Sequence, residues 1–78
     1  MRGEFKKVED TIVGLNVKKI IKQKGLNEYA VAQKCGYNNK KFNDMLNGRR
    51  LIKPEDVIRF VTVLKVTPND LYYINGNT

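Results

Sequence analysis

Apolar residues at Val13, Val17, Ile20 and Ile21 recur at the 3.6-residue period of a half-buried helix, and Asp10 or Thr11 just ahead of them can cap its start. Gly25 predicts its end. Asn27 offers a second cap, and Tyr29, Val31, Ala32 and Cys35 set the apolar face of a short helix closed by Gly36, a residue suited to left-handed backbone. After Tyr37, Asn38 can cap a third helix with Phe42, Met45 and Leu46 as its inward stripe, ending at Gly48. Residues 49–53 read as a basic loop. Pro54 suits the first turn of a fourth helix, with Glu55 and Asp56 complementing its positive end and Val57, Ile58, Phe60, Val61 and Leu64 facing the core. Thr67, Pro68 and Asp70 repeat the order of cap, proline and acid, and Leu71, Tyr72 and Ile74 form a short fifth helix. Residues 61–66 carry strand propensity, but the proline and cap signals on both sides decide for helix. Asn75-Gly76 is a hairpin signal with too little chain after it for a return strand. The expected organisation is a polar lead-in over 1–9, one all-α domain over 10–74 and a frayed tail over 75–78.

Composition narrows the chemistry. A chain of 78 residues is one small domain, burying only about 60% of the surface its unfolded form exposes. It contains no histidine and no serine, and its one cysteine, Cys35, can neither close an intramolecular disulfide nor complete a Cys/His zinc site. Neither a serine nucleophile nor a histidine base is available, so no catalytic residues, metal or cofactor are expected. Cys35 reads as a small core residue rather than a redox sensor. The apolar stretches at 12–15 and 60–64 are far short of the ~20 residues that span a bilayer, and the first residues lack a signal-peptide apolar region. An intracellular, cytoplasmic protein is expected, with no membrane partner.

The charge of +7 is uneven along the chain. Residues 18–53 hold ten Lys and Arg against Glu28 and Asp44, an excess of eight, whereas 1–17 are balanced and 54–78 carry a net −1. Such a localised field attracts a polyanion, because each neutralised phosphate releases condensed counterion. The competing reading is a solvated basic face that only keeps the protein soluble.

Two short helices joined by a glycine-containing turn form a helix-turn-helix unit, whose second helix enters the major groove. Val31, Cys35, Tyr37, Phe42 and Met45 fall where the two helices must touch, with Ala32 small at the closest approach and Gly36 in the turn. In these residues the chain resembles the phage repressor and Cro type (XRE-like) of helix-turn-helix family. Residues 25–37 look like its second helix and turn, Asn47-Gly48-Arg49-Arg50 like the end of its recognition helix, and residues 64–71 like its last two helices. The resemblance spans roughly residues 12–73. It implies a compact, lambda-repressor-like five-helix bundle, sequence-specific binding to double-stranded DNA, and a homodimer on a palindromic operator. Two positions depart from the family pattern. Its buried Arg–Glu pair is matched by Ile21 and Leu46, which should touch, and a doubly apolar replacement avoids the desolvation cost of the ions. Glu28 stands where the family prefers Gln, and its carboxylate suits the helix start but repels DNA.

On the third helix Asn38, Asn39, Lys40, Asn43 and Asp44 are the candidate base readers. Asn can pair bidentately with adenine, Lys can reach guanine O6 and N7, and Asp can accept from cytosine N4, each worth roughly 1–3 kcal/mol of discrimination. The competing readings are capping alone for Asn38, a solvated face for Asn39 and Lys40, and repulsion from DNA for Asp44. Lys41, Asn27, Gln33, Asn47, Arg49 and Arg50 are candidates for the phosphate backbone, with Gln33 alternatively orienting a base reader. Lys18, Lys19, Lys22 and Lys24 read as the solvated side of the first helix. Tyr72, Tyr73 and Ile74 either cover the core or leave a patch for a second subunit. The expected function is a DNA-binding transcriptional regulator acting as a repressor, with no small-molecule ligand. The rivals are an antitoxin-like protein-interaction module of the same fold, which would co-purify with a partner, and a nucleic-acid-modifying enzyme, which would need a metal or nucleophile cluster.

Overall fold

Helix signals of the sequence become five helices in the computed structural model, which describes residues 8–73, with side chains from 12 onward: α1 (Val8–Gln23), α2 (Glu28–Cys35), α3 (Asn39–Leu46), α4 (Pro54–Leu64) and α5 (Pro68–Tyr72). No strand occurs among the described residues. The starts follow the local chemistry. The Asn27 side chain accepts from Ala30 N–H and Asn38 from Lys41 N–H, satisfying donors that a helix start leaves orphaned. Thr67 and Asp70 form a reciprocal capping box with Pro68 at the first helical position. Three ends follow one rule as well. The N–H groups of Leu26, Tyr37 and Arg49 close back on the carbonyls of Ile21 (2.8 Å), Ala32 (2.9 Å) and Asp44 (2.8 Å), the bond that ends a helix through a left-handed residue.

The inward stripes meet in one core. Val13, Val17, Ile20 and Ile21 of α1 pack with Val31, Ala32 and Cys35 of α2, Phe42, Met45 and Leu46 of α3, Val57, Phe60 and Leu64 of α4, and Leu71 of α5. Ile21 and Leu46 are both buried there, and α1 packs on α3. Phe42, Phe60 and Tyr37 form a cluster of rings 5.9–6.3 Å apart, in stacked and edge-on geometries that favour aromatic quadrupoles.

The structure departs from the sequence expectation at four places. Helix α1 begins at Val8, ahead of the Asp10 or Thr11 cap, so two residues of the expected polar lead-in are helical. Tyr29 and Ile58, expected to face the core, are exposed by 55% and 63%. Each sits one residue outside the buried arc, and its apolar character misled the periodicity. Helix α5 ends at Tyr72, and Ile74 with the 75–78 tail lies outside the described residues. Two residues absent from the expected core fix α1 in place. Gly14 is buried where α3 ends, and a Cβ there would stand 2.8 Å from the Leu46 carbonyl oxygen and 3.2 Å from that of Met45. Asn16, 8% exposed, donates to the carbonyls of Leu71 (2.7 Å) and Tyr73 (2.8 Å), tying α1 to the end of α5.

Candidate nucleic-acid interface

With Phe42, Met45 and Leu46 buried, the opposite face of α3 turns to solvent. It carries Asn39, Lys40 and Asn43, all exposed, and Asp44, partly sheltered. These positions recur one turn apart along a single face. Asn38 is exposed at the start of this row and Asn47 at its end.

The side chains of Lys40, Asn43, Asp44 and Asn47 are linked into one network, with Arg49 joining its two halves. The Lys18 ammonium on α1 donates to Asn47 Oδ1 (2.7 Å), and Asn47 Nδ2 donates to the Asn43 carbonyl (2.8 Å) and to Asn43 Oδ1 (3.1 Å). Arg49 then donates through Nη2 to Asn43 Oδ1 (3.0 Å) and through Nε to Asp44 Oδ1 (2.9 Å), while Lys40 donates to Asp44 Oδ2 (3.1 Å). A continuous polar chain therefore runs from α1 across the end of α3 to the basic loop. The bonds from Arg49 and Lys40 hold the Asp44 carboxyl below the usual carboxylate range.

Asn27 and Asn38 already use Oδ1 as helix caps. A bidentate pair with adenine needs both ends of the amide, so Asn38 would have to give up its cap to make one. Gln33 donates to the Tyr29 hydroxyl (3.0 Å) one turn away on the outside of α2, a use of both side chains that the sequence reading did not foresee. Arg50 is exposed, and with Lys41, Lys53, Arg59, Glu55 and Asp56 it lines a concavity of about 220 Å³.

Beneath that concavity lies a hub absent from the sequence reading. The Tyr37 hydroxyl donates to Asp56 Oδ1, and Asp56 Oδ2 accepts from Lys53 N–H (2.9 Å) at the start of α4. Arg59 Nη1 reaches the Tyr37 oxygen at 3.4 Å, and the cations of Lys41 and Arg59 lie 5.1 and 5.6 Å from the centre of its ring, within cation–π range. Burial and the bond to Asp56 push the Tyr37 phenol up to about 12. The turn of the helix-turn-helix is thereby bolted to α4. The available signal was a tyrosine in a turn facing an acid three residues after a helix cap. Cys35 is buried as expected, and burial raises its thiol, which suppresses the thiolate form.

Among the described residues no group of His, Cys, Asp and Glu is placed to hold a metal ion, and no helix is long and apolar enough to cross a membrane. No family model and no curated protein matches the sequence. Solved structures do match the fold. The restriction-modification controller protein C.AhdI from Aeromonas hydrophila superposes with a TM-score of 0.75 at 18% identity, over 85% of this chain and 100% of that one. The clp gene regulator ClgR from C. glutamicum gives 0.77 at 14% identity, over 85% and 86% of the two chains. A hypothetical transcription factor from Neisseria, NHTF, gives 0.77 at 16% identity, over 91% and 85%. At these identities the likeness is one of fold: the chain is an all-α five-helix bundle containing a helix-turn-helix, an architecture it shares with these three proteins.

Proposed function

We propose that this chain is a transcriptional regulator that binds double-stranded DNA sequence-specifically, inserting α3 into the major groove of a palindromic operator and repressing by occupancy. The observation that carries the reading is the outer face of α3, a row of exposed amides and cations on a helix whose other face is locked into the core. A rod so held can offer its donors and acceptors to base edges in the major groove. The concentration of positive charge between residues 18 and 53 supports it, as does the fold shared with a gene regulator and a controller protein.

In this reading Asn39, Lys40 and Asn43 read bases, Asn43 through Nδ2 because its Oδ1 already accepts from Asn47 and Arg49, while Asn27, Gln33, Lys41, Asn47 and Arg50 lie along the phosphates. Cofactor and catalytic step have no part in it. Two copies act together on DNA, with the exposed Tyr72 and Tyr73 as the surface each offers the other. The test is selection of bound duplexes from a random pool at physiological salt. A single enriched motif, arranged as an inverted repeat, is expected; a pool that stays random after repeated rounds sinks the reading. On the motif obtained, Arg50→Ala should lower affinity evenly across sequences and make the plot of log affinity against log salt shallower by about one unit.

A further inference from the structure

Asp44 stands in the middle of the proposed reading face, yet both of its carboxylate oxygens are occupied. Oδ1 accepts from Arg49 and Oδ2 from Lys40. The carboxylate is the sheltered member of the trio, with its side chain 22% exposed against 87% for Lys40 and 61% for Arg49. A polyanion approaching α3 meets two cations first, each already partnered from below. Arg49 is held from a second side by Asn43, which is tied through Asn47 to Lys18, so its guanidinium is oriented with three of its five N–H donors still to give.

From this arrangement we infer that Asp44 is a positioning residue that holds Lys40 and Arg49 in one geometry and discounts their attraction to DNA of any sequence, exchanging indiscriminate affinity for selectivity. The inference rests on the DNA-binding reading. Its physical basis is the coupling of Asp44 to the two cations. Two free cations would each exchange counterions with phosphate, whereas a trio carrying a net single charge exchanges fewer. An oriented guanidinium also loses less freedom on docking than a swinging one, and so favours the sites whose acceptors match its direction. Surface ion pairs contribute little to folding, so the trio can be altered without unfolding the bundle.

The experiment compares the wild type with Asp44→Asn on two duplexes, the one enriched from the random pool and one of unrelated sequence, over a series of salt concentrations. Affinity of the variant for the unrelated duplex should rise about five- to tenfold at 0.1 M salt, with the salt dependence steeper by about one unit. Preference for the enriched duplex should shrink by a similar factor. The same substitution placed in a Lys40→Ala/Arg49→Ala background should change affinity for the unrelated duplex less than about twofold. A rise that persists in that background means Asp44 merely repels DNA and overturns the inference. Loss of preference at one base position, with the unrelated duplex unaffected, makes Asp44 a direct reader and also overturns it. A wild type without preference among duplexes fails the regulator reading itself, and is told apart because it appears before any variant is made.

Discussion

Tyr37 concentrates several kinds of interaction in one side chain. Its ring packs on Phe42 and Phe60, its face meets Lys41 and Arg59, and its hydroxyl satisfies the buried Asp56. Removing that hydroxyl leaves Asp56 short of a donor, and a buried polar group left unpaired costs roughly 1–3 kcal/mol. Tyr37→Phe should therefore destabilise the fold by about that amount in chemical denaturation. The phenol also links stability to alkaline pH. It ionises near 10 in the unfolded chain but at about 12 in the fold. Between these values the folded form alone keeps the proton, so the contribution is complete below pH 10 and is lost as pH rises through the folded value. The difference in stability between wild type and Tyr37→Phe should narrow across that window, and a tyrosinate absorbance titration should show an ionisation near pH 12 in wild type that the variant lacks.

At the scale of the element, helix ends were the most legible feature of the sequence because their chemistry is local. Asn27, Asn38, Thr67 and Gly36 act where a cap or a left-handed residue is required, and each can be recognised from its neighbours alone. What stayed hidden depends on partners far along the chain: Asn16 bonds to residues more than fifty positions away, and Lys18 to one nearly thirty away. Tyr29 and Ile58 misled for a related reason, since periodicity reports which residues prefer burial and not which arc of a helix finds a neighbour. One helix end also departs from the glycine rule. Helix α4 stops at Lys65, whose φ of 59° is left-handed, a conformation that costs an ordinary L-residue roughly 1–2 kcal/mol. Part of that gain would be offset by the greater freedom of unfolded glycine. Lys65→Gly should thus stabilise the protein by about 0.5–1 kcal/mol, raising the denaturation midpoint with an unchanged denaturant slope. A lowered midpoint would show that the Lys65 side chain contributes more than its backbone loses.

For the molecule as a whole, dimensions set the geometry of the proposed complex. One copy measures 36 × 31 × 19 Å, and one turn of duplex rises about 34–36 Å. Two copies side by side on one face of the DNA therefore place their α3 helices about one turn apart. The half-sites of the enriched motif should be centred roughly 10 bp from each other, read from the selected sequences and from a nuclease footprint. Charge placement was legible at this scale, because the basic segment 18–53 is contiguous in sequence. The pairing of Lys40 and Arg49 by Asp44 was only half so: Lys40 and Asp44 are one helical turn apart, but Arg49 reaches back from beyond the end of the helix. Gly14 carries the remaining consequence. What it meets in α3 is main chain, the carbonyls of Leu46 and Met45, so the seating of the two rods is set by backbone shape and is indifferent to what α3 displays outward. In the proposed complex the exposed row then rides on a fixed chassis: a substitution at Asn39 alters what is displayed without reseating the helix, while any side chain added at Gly14 shifts the whole row at once.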